Sequence, residues 1–347
     1  MQGIVRVLVI DDSAYARKLL REMLSRSPLI EVVGAARDGE EALEMAAELK
    51  PDVITCDITM PGMDGVAFVR AQMARRSVPI VMISVADGNG ERVLSAFDAG
   101  AVDFMQKPTA LADERLFDIA EELLAKVKAA AMVPMARIQP VAETAARAAA
   151  PAFSSTTGRF SVVVVGISTG GPQGLKMLIP AFPATCPVPI VVVLHMPVGY
   201  TELYAQKLNE LSALTVVEAC EGTPVAPGMV LIAPAGRHLT FRREGDGGVV
   251  AHLDVRPLGM LHRPAVDVLF RSAAEVYGER VLAVVMTGMG SDGREGAAWV
   301  KAKGGIVLTE AEESCVVYGM PRSVVEAGLS DESVSLERLA PSIVRRL

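Results

Sequence analysis

Apolar and polar positions in the first third of the chain follow two rhythms. VRVLVI, EVVGAA, VITCDI, IVMISV and DFMQ are short and apolar nearly throughout. Between them, AYARKLLREMLS, EEALEMAAEL, GVAFVRAQMA, ERVLSAFDAG and ERLFDIAEELLAKVKAA keep their apolar residues on one face of a helical period. Strand then helix, five times over, is therefore predicted for residues 1–127. Short strands without polar alternation are those covered on both faces, which implies a parallel sheet with crossover helices. Right-handed crossovers make its order flavodoxin-like.

The rhythm lapses over residues 128–158, KAAAMVPMARIQPVAETAARAAAPAFSSTTG, where Ala, Pro, Ser and Thr dominate, as in an interdomain linker. It resumes over residues 159–347 with SVVVVGI, GLKMLIPAF, PIVVVLHM, YTELYAQKLNEL, VLAVVMTGM and EGAAWVKAKG. A second, doubly wound and mainly parallel α/β domain is predicted there. Within it, HLTFRREGDGGVVAHLDV alternates around a GDGG turn and reads as an inserted β-hairpin.

Composition narrows the class. A length of 347 residues suits two domains, and 51% hydrophobic with 22% charged residues suits soluble globular ones. A net charge of -7 with no Lys/Arg run argues against nucleic-acid binding. Cys56, Cys186, Cys220 and Cys315 form no CxxC pair, so neither a zinc site nor a disulfide framework is signalled. No apolar run approaches the roughly 18 residues of a membrane span, and a cytoplasmic protein without membrane insertion is expected.

Candidate chemistry gathers at predicted strand ends. Asp11 and Asp12 close the first strand and Asp57 the third, and in a parallel sheet these ends share one carboxyl edge. Three converging carboxylates suit Mg²⁺. Ser84 and Lys107, ending the fourth and fifth strands, add a hydroxyl and a cation. The simpler reading is that Asp11 and Asp12 only cap the first helix, a role that Asp12 or Ser13 can fill. In the second domain Ser168 sits in GISTGGPQG after a strand, as a phosphate ligand, a turn hydroxyl or a nucleophile. A nucleophile needs a base and an orienting acid. Of the four histidines, His195 alone ends a clear apolar run; His238 and His252 lie in the hairpin segment, and His262 lies away from a clear strand end. Asp292 follows a third run in the Gly-rich loop MTGMGSDG, where it either orients a base or caps the next helix. Ser168, His195 and Asp292 in that order make a hydrolase triad the leading reading.

Together DD, the lone Asp, Ser and Lys-Pro resemble the receiver domain of response regulators across residues 4–126. GISTGGPQGL, VVLHMP, HRPAVDVLF, MTGMGSDG and SCVVYGMPRSV resemble the CheB family of chemotaxis protein-glutamate methylesterases over residues 160–345. The resemblance implies phosphoryl transfer from a histidine kinase to Asp57, with Mg²⁺ held by Asp11, Asp12, Asp57 and the Thr59 carbonyl, and with Ser84, Phe104 and Lys107 reading the phosphorylation. It also implies Ser168 as nucleophile, His195 as general base and acid, Asp292 as its partner and the Met289 N–H as an oxyanion donor, with no cofactor for the esterase. The implied substrates are methylated glutamates, and glutamines for deamidation, on chemoreceptors. TEAEES departs from the family's usual Gln-Asp-Glu-Ala-Ser run, and Ile167 stands where Ala is common. The alternative is a phosphorylation-controlled binding or scaffold protein whose hydrolase-like half is inactive.

Overall fold

A computed structural model describes residues 3–84, 90–107, 116–135, 158–245 and 247–347. The chain forms two compact units, divided between Thr144 and Ala145. Much of the expected linker and the centre of the GDGG turn lie outside the described residues.

In the first unit, strands β1 (Val5–Ile10), β2 (Ile30–Ala36), β3 (Val53–Asp57), β4 (Ile80–Ser84) and β5 (Asp103–Gln106) form a parallel sheet of order β2-β1-β3-β4-β5. This is the flavodoxin-like order. Helices α1 (Ala14–Leu24), α2 (Gly39–Leu49), α3 (Gly65–Arg75), α4 (Gly90–Asp98) and α5 (Leu116–Ala131) connect or follow the strands. Each of the first three starts where a short polar side chain satisfies an unpaired N–H. Ser13 accepts from Ala16, Asp38 from Glu41 and Asp64 from Ala67. Strands β3 and β4 are buried at every position, which explains their uninterrupted apolar sequence.

The second unit has strands β6 (Val162–Ile167), β7 (Ile190–Leu194), β8 (Thr215–Glu218), β9 (Met229–Ile232), β12 (Val281–Val285), β13 (Ile306–Glu310) and β14 (Glu332–Val334), with β10 (His238–Arg243) and β11 (Val249–Asp254) forming a separate antiparallel pair. The seven run parallel in the order β14-β13-β12-β6-β7-β9-β8. Strand order reverses beside β6, so a crevice is expected at its carboxyl end. Helices α6 (Gly171–Leu178), α7 (Thr201–Leu211), α8 (Val266–Tyr277), α9 (Arg294–Ala302), α10 (Met320–Glu326) and α11 (Leu336–Val344) complete the unit. Val162, Val164, Val191 and Val193 share a core with Leu269, Phe270 and Ala273 of α8, Ala297 and Val300 of α9, and Leu239 and Phe241 of the hairpin. Among the described residues no helix is long and apolar enough to cross a membrane.

Candidate phosphoacceptor and active sites

The carboxyl edge of the first sheet gathers the predicted acidic set. Ligand oxygens of Asp11, Asp12 and Asp57 lie within 4.8 Å of one another. Lys107 Nζ stands 2.8 Å from Asp11 Oδ2 and 2.6 Å from Asp57 Oδ2, and its backbone N–H donates to the Ser84 carbonyl at 2.7 Å. Capping of α1 falls to Ser13, while Asp11 accepts the Ser13 N–H at 2.9 Å. The Thr59 N–H donates to Asp57 at 3.4 Å. Ser84 and Phe104 are buried. Burial pushes the Asp57 carboxyl above its ordinary value, and Lys107 pulls it back only in part. Burial also works against the Lys107 charge, yet its bonds to Asp11 and Asp57 keep that amine above the usual lysine value. An oxygen-only set with one exposed member, Asp12, fits a hard divalent cation open to an incoming phosphoryl group.

In the second sheet, register brings the other candidates together. Ile167 pairs with Leu194 and Gly166 with Val285, so the loops after β6, β7 and β12 leave side by side. The His195 N–H donates to Ile167 O at 3.1 Å, and the Ser168 N–H to Thr287 O at 3.0 Å. Gly170, at φ 79°, turns the chain into α6. Gly288 is needed for closeness, since a Cβ there would lie 2.8 Å from Ser168 Cβ. Its N–H donates to Val317 O, and its carbonyl accepts from Gly319 and Met320, which fixes the loop just before Met289.

His195 Nε2 lies 2.8 Å from Asp292 Oδ2. Asp292 also accepts the N–H groups of Val266 at 2.8 Å and Asp267 at 2.9 Å, the open end of α8. The helix that Asp292 precedes, α9, is capped by Asp267 instead, whose Oδ1 accepts from Gly293 at 2.8 Å and Gly296 at 2.7 Å. Each aspartate thus caps the other's helix. Burial disfavours the Asp292 charge, but the His195 bond and the α8 amides outweigh it and hold its pKa at about 2. Asp267 moves the other way, to about 6, raised by burial and by the Asp292 charge against the pull of its amide bonds. His195 Nδ1 is buried without a hydrogen-bond partner. With Nε2 engaged by a carboxylate, Nδ1 carries the lone pair and can accept a proton.

Comparison with known proteins agrees with both halves. The family model described as CheB methylesterase matches residues 163–343, and that described as response regulator receiver domain matches residues 7–120. The chain belongs to the CheB methylesterase family. The protein-glutamate methylesterase/protein-glutamine glutaminase 5 of Myxococcus xanthus (strain DK1622) is 48% identical over 99% of this chain and 97% of its own length. A protein-glutamate methylesterase/protein-glutamine glutaminase of Symbiobacterium thermophilum is 43% identical over 99% of this chain and 98% of its own. Among solved structures, the Thermotoga maritima CheB methylesterase catalytic domain is similar over 54% of this chain and 99% of its own, with 44% identity and a TM-score of 0.53.

Three residues of this CheB-family chain escaped the sequence reading. The His262 ring stacks on His195, with centroids 4.0 Å apart and planes at 24°. It arrives in a loop with no periodic pattern, so the reading that looked for strand ends passed it over, although it opens the motif HRPAVDVLF. Asp267 lies in the same motif, but no role was assigned to it. Glu310, at the end of β13, is fully buried and accepts the Thr287 N–H at 2.8 Å and the Ser314 hydroxyl at 3.0 Å. It braces the residue whose carbonyl holds Ser168, and it lies in the segment TEAEES that sequence reading noted only as a departure. His238 instead bonds Pro257 O and the Ala265 N–H, and His252 pairs with Glu221.

Proposed function

We propose that this chain is a phosphorylation-activated protein-glutamate methylesterase that removes methyl groups from glutamyl esters of chemoreceptors and deamidates their glutamines. The observation that carries the catalytic half is the His195 Nε2 bond to Asp292, which leaves Nδ1 unpartnered on a residue whose backbone N–H holds Ile167 O, just before Ser168. The methylesterase/glutaminase names of the relatives support the substrate class.

Ser168 Oγ attacks the ester carbonyl and passes its proton to His195 Nδ1, while Asp292 holds the imidazolium. The backbone N–H of Met289 donates to the oxyanion. The imidazolium returns its proton to the methoxide, which leaves as methanol. Water, deprotonated by His195, then releases glutamate from Ser168. For a glutamine the leaving group is ammonia. No cofactor enters this reaction.

Residues 1–127 act as the receiver, whose last helix runs on to Ala131, the rest of 128–158 acts as linker and 159–347 as the catalytic domain. Asp57 takes the phosphoryl group from a chemotaxis histidine kinase. Mg²⁺, held by Asp11, Asp12, Asp57 and the Thr59 carbonyl, would supply positive charge to the phosphoryl oxygens. Lys107 adds its ammonium there, and Ser84 and Phe104 respond to the new oxygens. Such a protein works in the cytoplasm.

Methanol release from methylated receptor membranes, with and without a small phosphodonor, tests the reading. Wild type is expected to release methanol faster with the donor, and Ser168→Ala to release none. A Ser168→Ala protein as active as wild type would refute the nucleophile.

A further inference from the structure

The Asp292 bond alone does not fix the base. In an imidazole, Nε2 lies nearer the line of the Cβ–Cγ bond than Nδ1 does, so rotation about that bond moves Nδ1 further than Nε2. His χ2 is a soft, broad torsion. A bond at Nε2, with Nδ1 unpartnered, thus leaves the direction of the Nδ1 lone pair poorly set. What restrains such a rotation is a flat group on the ring face.

His262 is that group. Its ring lies on the His195 face at 4.0 Å between centroids. The segment that carries it is pinned on both sides. His238 Nε2 donates to Pro257 O at 3.2 Å, and the Ala265 N–H donates to His238 Nδ1 at 3.2 Å. The Gly236 N–H holds Arg263 O at 2.9 Å. The next residue back, Leu261, is 90% exposed, so the loop puts the polar ring inward and the apolar side chain outward.

We infer that His262 is a positioning residue for His195, fixing the plane in which Nδ1 meets the Ser168 hydroxyl. The inference rests on the proposed role of His195 as base.

The test compares kcat and KM for methanol release by full-length wild type, His195→Ala, His262→Ala, His262→Phe and His262→Leu, all with phosphodonor. His262→Ala is expected to lose roughly three- to tenfold in kcat, the size of an aromatic contact, with KM nearly unchanged. His262→Phe restores the flat face and is expected to recover most of the rate. His262→Leu fills the space without a ring, stays slow, and keeps the comparison open should the alanine variant fold poorly. Wild-type kcat in both His262→Ala and His262→Leu overturns the inference, as does a His262→Phe protein no faster than His262→Leu. Full activity in His195→Ala refutes the base assignment itself, which separates the two failures.

Discussion

Asp267 and Asp292 are the same residue type in adjoining places, yet their pKa values stand at about 6 and about 2. Asp292 faces an imidazole and two amides; Asp267 faces only amides and carries the nearby negative charge of Asp292. The signs of their effects on stability differ accordingly. Asp292, depressed, adds stability that is present above its ordinary value near 3.8 and is lost as pH falls toward 2. Asp267, raised, binds its proton more tightly folded than unfolded, so its contribution is greatest below 3.8 and is lost as pH rises through about 6. Asp267→Asn keeps an oxygen for Gly293 and Gly296 but removes this titration. Thermal midpoints measured from pH 4 to pH 7 are therefore expected to favour Asp267→Asn over wild type increasingly as pH rises. A constant gap between the two proteins would contradict the shifted carboxyl.

Among elements, the contact that matters most for the site is β6 against the first turn of α8. A Cβ at Gly166 would lie 2.3 Å from Val266 Cγ1, and Val266 is a buried β-branched side chain whose N–H holds Asp292. Gly166→Ala is expected to cost about 1–3 kcal/mol of stability by overpacking and to lower kcat by displacing that N–H. Denaturant unfolding alongside methanol release checks both effects. The elements themselves were largely legible. VVVVGI, IVVVL and VLAVV are buried throughout, so apolar content alone marked them as strands. Less visible were β8, whose TVVE begins exposed, and β14, only three residues long. At the site, Ser168, His195 and Asp292 were readable because each follows such a strand. His262 and Glu310 were not, since one depends on where an irregular loop turns and the other on which strand neighbours which, and neither leaves a period in the sequence.

On the scale of the whole chain, Asp57, the proposed phosphoacceptor, and Ser168, the proposed nucleophile, lie in separate units. Asp57→Asn is expected to abolish the rise in methanol release on adding phosphodonor while sparing the basal rate. Chelation of divalent cations is expected to do the same to wild type, because the proposed mechanism uses the ion at the acidic set of the receiver and nowhere in the esterase reaction. Loss of basal activity on chelation would contradict that division. The crossed caps of α8 and α9 bear on how the catalytic unit fails. Fraying of either helix end withdraws the amides or the carboxylate that the other depends on, so the two ends open as one cooperative unit. His195 would lose its partner in that same event, so local melting and loss of activity are expected to coincide, short of global unfolding.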